Sequence, residues 1–308
     1  MKLERTHSLK EIAALIGCKF IGDPEHMVTG LNEIHVVNSG DIVFVDHPKY
    51  YSKALNSAAS TILIDKVVDC PEGKALLISD NPFDDFNYLT KRFAPFRKWT
   101  LPRGENLIMG QNSIIHPNVV FGHDVKIGDN CIIHSGVVIG DNCTLGDNVV
   151  VQSNSVIGSD AFYYKKKDSE YNRLHTCGKV WLQDNVEIGA LCSIDAGVTD
   201  VTVIGKGSKL DNQVHIGHDT KVGSNCLMAA QVGVAGCVII EDNVTLWGQV
   251  GVASDLTIGE GAVILGMSGV GKDLEGGKTY FGAPVSEARA KWKELAAIRQ
   301  LPRIIENL

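Results

Sequence analysis

From Ile115 onward an aliphatic or aromatic residue recurs at every sixth position: Phe121, Ile127, Ile133, Ile139, Leu145, Val151 and Ile157. After a break the rhythm resumes with Leu182, Ile188 and Ile194, skips four residues, and then runs unbroken from Ile204 to Val270. Two positions before these large residues stand small or β-branched ones, among them Val119, Cys131, Val137, Cys143, Cys192, Cys226 and Val250. A spacing of two puts both side chains on one face of a short strand. A six-residue unit of this kind, closed by a turn that is often glycine, is one flat side of a parallel β-helix. Three sides make a coil, so residues eighteen apart are predicted to be vertical neighbours about 4.8 Å apart.

Residues 1 to 103 lack the rhythm and read as a separate α/β domain. Ser8 and Glu11 form a capping-box signature for a helix that Gly17 can end. Apolar runs at Asp41 to Val45, Thr61 to Ile64 and Ala75 to Ile78 read as strands, with a helix-like segment from Lys49 to Ala59 between the first two. Asn81 and Pro82 open another helix through Phe93. Pro95, Pro102 and Gly104 mark a linker, and the solenoid extends from 104 to 284. A helical segment, 285 to 308, closes the chain, with its helix expected over Ser286 to Gln300. Between Ser159 and Val180 the repeat is interrupted by a segment rich in aromatics and lysine, Phe162 to Lys167, which reads equally as a binding face or a plain surface loop.

Composition narrows the function classes. Of 308 residues 32 are Gly, above the usual share of about 7%, and aromatics stand at only 6%, as a core of stacked aliphatics requires. A net charge of -7 with no basic tail argues against a nucleic-acid partner. Neither a signal peptide nor an apolar run of membrane-spanning length is visible, so a cytoplasmic protein without a transmembrane segment is expected. The eight cysteines never form a C-x-x-C pair, and four of them occupy the small inward slot, where they read as core filler. The flat, partly apolar sides of such a prism favour symmetric self-association, and a homotrimer is expected.

No Walker loop or G-x-S-x-G is present. The segment DNQVHIGHD, Asp211 to Asp219, crowds two histidines and two aspartates into little more than one repeat. His218 lies at a corner, where an imidazole, titrating near neutral pH, could act as a general base. Asp211 lies on the adjacent corner and could orient it. Gly236, eighteen residues on, stacks over His218 and could offer its N–H to an oxyanion. Solvated corner residues are the plain alternative. A metal site is the other, since His116, His123, His134, His215 and His218 all lie on the solenoid. His116 and His134 share a register, but no third ligand follows there, so no metal is expected.

IGSDAF (157–162), VEIGALCSIDAG (186–197), DNQVHIGHD, AAQVGVAG (229–236) and the closing FGAPVSEARAKWKELAAIRQLPR together resemble the UDP-3-O-(3-hydroxyacyl)glucosamine N-acyltransferase family of lipid A biosynthesis. The resemblance implies a left-handed parallel β-helix acyltransferase needing no metal or redox cofactor. Its expected substrates are an acyl carrier protein carrying a 3-hydroxyacyl thioester and a UDP-amino sugar lipid precursor. It implies His218 as the base, with Asp211 and Gly236 as its neighbours, and a uridine-binding N-terminal domain in which FVDHPKY supplies Phe44, His47 and Tyr50. Arg289, Lys293 and Arg299 on the basic closing helix are the expected docking residues for the acidic carrier protein. It places the enzyme in the cytoplasm, with the inner membrane as a peripheral surface. Three positions depart from the family pattern: His47 stands for asparagine, Ala196 for arginine and Asp255 for a second histidine. These departures open the alternative of a different UDP-amino sugar as acceptor.

Overall fold

The computed structural model describes residues 1–100 and 102–306 and divides into two compact units. The first comprises Met1–Lys98, Phe162–Gly178 and Gly197–Asp200; the second comprises Trp99–Ala161, Lys179–Ala196 and the chain from Val201. These bounds differ from 1–103, 104–284 and 285–308, and Gly197–Asp200 too groups with the first unit. The linker belongs to the solenoid from Trp99, the insertion belongs to the α/β unit, and the closing helix groups with the solenoid. Leu101 and the last two residues of the expected 285–308 segment lie outside the described residues.

The first unit is a six-stranded sheet in the order Lys2–Ser8, Met27–Leu31, Asp41–Val45, Thr61–Ile64, Ala75–Ile78, Lys19–Ile21. Its four central strands are parallel and the two edge strands antiparallel. The central strands are apolar on both faces, as buried parallel strands are, with Val43, Ile62, Leu63 and Leu76 inaccessible to solvent. Helix α1, Leu9–Ile16, starts at a capping box in which Ser8 and Glu11 exchange side chain-to-backbone bonds. It ends at Gly17, whose φ of 65° is the left-handed conformation that glycine adopts without strain. The expected helix of Lys49–Ala59 is shorter: a 3-10 turn Pro48–Tyr50 followed by α2, Tyr51–Leu55. It stops there because Asn56 and Ser57 turn their side chains back onto the carbonyls of Ser52 and Ala54. Helix α3 spans Pro82–Phe93, but the Asn81 side chain does not cap it; the Asn81 amide oxygen instead accepts from Lys167 at 3.1 Å.

The solenoid has three sheets of 8, 10 and 8 strands, one for each side of the coil. Lys126 pairs with Thr144, Ile132 with Val150 and His215 with Gly233, the eighteen-residue register read from the repeats. Across the insertion the spacing lengthens but the stack holds, with Ile157 against Ile194. The inward rows form one continuous core, so cutting a residue such as Ile216 to alanine costs about 2–5 kcal/mol. Corners repeatedly use Asn or Asp at positive φ, as at Asn130, Asn148 and Asn225, since these side chains tolerate the left-handed conformation. Aspartates bind coil to coil there: Gln111 N–H donates to Asp129, Asp129 N–H to Asp147 and Asp147 N–H to Asp184.

Helix α4, Ala288–Glu306, runs past the expected end at Gln300 and through Pro302. Among the described residues no helix is long and apolar enough to cross a membrane.

Candidate active site

His215 and Ile216 form the strand that leads into the corner holding His218. Ile216 points into the core and His215 outward, so the strand's alternation sets the aim of the residues that follow. The corner is tied on both sides. Asp219 N–H donates to Thr202 Oγ1 in the coil below at 2.9 Å, and Cys237 N–H in the coil above donates to the His218 carbonyl at 2.8 Å. Thr220 Oγ1 donates to the Ala235 carbonyl at 3.0 Å.

His218 is buried and its Nδ1 lies 2.9 Å from Asp219 Oδ2. A carboxylate accepts, so this contact favours the tautomer with the proton on Nδ1 and the lone pair on Nε2. Asp219 has a φ of 58°, and this left-handed turn brings its carboxylate beside the preceding ring. The carboxylate that meets the ring within this chain is therefore that of Asp219, and not that of Asp211. Asp211 sits exposed one corner away, where its Oδ1 accepts from Asn212 N–H at 2.7 Å. Its place in the coil is the one read from the repeat, but a full side of the prism separates it from His218 in the same chain.

Gly236 stacks above His218. A Cβ there would lie 2.6 Å from Nε2 and 2.7 Å from Cε1, so only glycine leaves the ring its place. One side from this corner, the outward positions above His215 are Gly233, Gly251 and Gly269. Added Cβ atoms at Gly233 and Gly251 would meet nothing within 4 Å, which makes a bare strip beside the histidines.

A second carboxylate belongs to this neighbourhood. Asp195, buried, accepts from Ser159 Oγ at 2.6 Å and lies 3.9 Å from His215 Nε2. Sequence reasoning passed over its contact with His215, for which the signal was vertical register: Ile194 pairs with Ile216. Ala196, buried, occupies the next position, and Asp255 stands exposed in the coil above Gly236. His116 and His134 do stack, with ring centroids 4.7 Å apart. Burial pushes the Cys143 thiol up to about 12, and the same cause raises Cys131, Cys192 and Cys226, so these inward cysteines hold neutral thiols.

In the α/β unit, Phe44 packs against Phe83 edge-on at 5.9 Å and against Phe86 at 4.9 Å. His47 caps the 3-10 turn, its Nδ1 accepting Lys49 N–H at 3.2 Å, and its ring lies 5.9 Å from that of the half-exposed Tyr50. On α4, Arg289, Lys293 and Arg299 are all exposed.

Both units match family models. The bacterial transferase hexapeptide (six repeats) matches residues 106–141 and 202–236. The model described as UDP-3-O-(3-hydroxymyristoyl) glucosamine N-acyltransferase, LpxD, matches residues 25–92. The UDP-3-O-acylglucosamine N-acyltransferase of Syntrophotalea carbinolica is 41% identical, over 74% of this chain and 74% of its own length. That of Neisseria meningitidis is 38% identical, over 76% and 74%. Among solved structures, the Francisella novicida UDP-N-acetylglucosamine acyltransferase is similar with a TM-score of 0.55 and 30% identity, covering 60% of this chain and 68% of that one.

Proposed function

The chain belongs to the UDP-3-O-acylglucosamine N-acyltransferase family, and from that premise we propose how its residues carry the reaction. The acceptor is the 2-amine of a UDP-3-O-acylglucosamine, and the donor is a 3-hydroxyacyl thioester on acyl carrier protein, in lipid A biosynthesis. The observation that carries the reading is the His218–Asp219 pair, with the ring's Nε2 edge against Gly236.

In the proposed mechanism the amine nitrogen attacks the thioester carbonyl while His218 Nε2 takes the amine proton. Asp219 holds the ring in that tautomer and stabilises the imidazolium. The Gly236 N–H meets the oxyanion as it forms. Collapse breaks the C–S bond, and His218 returns its proton to the departing thiolate, so an amide and a free thiol result. The glycine strip supports a seat for the extended, apolar donor chain. Phe44, His47 and Tyr50 are the proposed uridine contacts, and Arg289, Lys293 and Arg299 the contacts to the carrier protein. Outward rows of aliphatics, Ile114, Ile132, Val150 on one side and Val120, Val138, Val156 on the next, support burial between copies in a homotrimer. The proposed location is the cytoplasm, at the periphery of the inner membrane.

A second reading, another UDP-amino sugar as acceptor, is favoured by one observation. Ala196, buried in the coil under His218, stands where the family resemblance implies an arginine. The test of both is incubation with candidate UDP-amino sugars and acyl carrier protein thioesters, with products identified by mass spectrometry. An N-acylated UDP-3-O-acylglucosamine is the expected product. Its absence, with another sugar acylated, selects the second reading.

A further inference from the structure

The insertion that interrupts the solenoid is built into the α/β unit. Its strands Tyr164–Lys167 and Glu170–Arg173 pair antiparallel, with Lys165 opposite Asn172 and Lys167 opposite Glu170. Residues two apart share a face of a strand, so Lys165 and Lys167 form one pair of cations. Acids of the same unit meet both. Lys167 donates to Asp84 Oδ2 at 2.8 Å, and Lys165 donates to Asp46 Oδ2. The return strand is fixed to α3 by the Asn87 amide, which donates to the Arg173 carbonyl at 2.9 Å and accepts His175 N–H at 2.8 Å.

Lys165 differs from Lys167 in what it supports. Asp46 lies between the Asp41–Val45 strand and His47, so its carboxylate, only 20% exposed, anchors the start of the His47–Tyr50 turn. The same ammonium lies 5.6 Å from the centroid of the Phe83 ring, and Phe83 backs Phe44. One side chain thus touches both supports of the aromatic group: the acid that leads into His47 and Tyr50, and the ring behind Phe44.

We propose that Lys165 is a positioning residue of the nucleotide site, holding Asp46 and Phe83 so that Phe44, His47 and Tyr50 present a preformed surface to a pyrimidine nucleotide. The proposal rests on the reading of those three residues as uridine contacts. Without the cation, Asp46 keeps a largely buried charge that has lost its partner and must turn toward water. The turn beginning at His47 moves with it, and nucleotide affinity falls while the chemical step at saturation does not.

The experiment uses the full chain: calorimetric titration with UMP and steady-state kinetics for wild type, Lys165→Met, Lys165→Arg and Tyr50→Ala. Lys165→Met should weaken UMP binding and raise the KM for the UDP-linked acceptor roughly 5- to 150-fold, the span of coupling between linked sites. Its kcat and its KM for the acyl donor should stay within about twofold of wild type, and Lys165→Arg should recover most of the loss. Unchanged UMP affinity in Lys165→Met, beside a clear loss in Tyr50→Ala, overturns the positioning role and leaves the nucleotide reading standing. Unchanged affinity in both variants overturns the nucleotide reading and this proposal with it. A Lys165→Met protein that loses kcat together with both KM values marks a general folding defect and also overturns the proposal.

Discussion

The chemistry depends on a proton inventory at one imidazole. Because Asp219 accepts a 2.9 Å hydrogen bond from Nδ1–H in the tautomer that this contact favours, Nε2 is the nitrogen with the lone pair, and Gly236 is the residue over it. His218→Ala should lower kcat by about 10²- to 10⁴-fold, the usual contribution of a positioned base, with folding unchanged by circular dichroism. Asp219→Asn should cost more than Asp211→Asn, because an amide facing Nδ1 can donate and so favour the wrong tautomer. Equal kinetics in the two asparagine variants would remove Asp219 from the mechanism. Gly236→Ala should also depress kcat, since its Cβ would stand 2.6 Å from Nε2 and force the ring aside.

At the scale of elements, the signals that were legible are those written in local periodicity or local capping. The strands Asp41–Val45, Thr61–Ile64 and Ala75–Ile78 fall on their apolar runs, and α1 on its capping box. The edge strands Lys2–Ser8 and Lys19–Ile21 were invisible, because a largely exposed strand that starts at a lysine, one polar along most of its length and the other only three residues long, carries no continuous apolar run. Helix α4 carries Arg289, Lys291, Lys293, Arg299 and Arg303 against Glu294 and Glu306, in a chain of net charge -7. Opposite charge on a carrier protein should speed encounter and make it sensitive to salt. Reversing Arg289, Lys293 and Arg299 to Glu should therefore raise the KM for acyl carrier protein and leave acceptor KM unchanged in the same assay. An unaltered KM and salt response would take α4 out of the docking surface.

For the whole molecule, the proposed trimer covers the solenoid sides bearing Ile114, which is exposed, with the partly exposed Ile132 and Val150, and Val120, Val138 and Val156. Light scattering should report about three times the 33.3 kDa chain mass. A stable and active monomer would sink the trimer. The exposed Asp211, a full side away from His218 of its own chain, is then the candidate for contact with a neighbouring copy, and its variant is best compared in assembled protein.

The six-residue rhythm by itself determined the coil, its eighteen-residue register, the stacking of Gly236 on His218 and the inward cysteines, because each repeat restates the same local geometry and a parallel stack copies it upward. Tertiary structure alone decided which acid meets the imidazole and where the insertion belongs. Asp219 reaches Nδ1 through a left-handed turn, and a residue's place in the repeat says which corner it occupies but not how its side chain folds back. The hairpin joins the α/β unit through Asn87 to α3, Lys165 to Asp46 and Lys167 to Asp84. These pairings span some 80 to 120 positions of chain, a distance at which no periodicity in the sequence connects the partners.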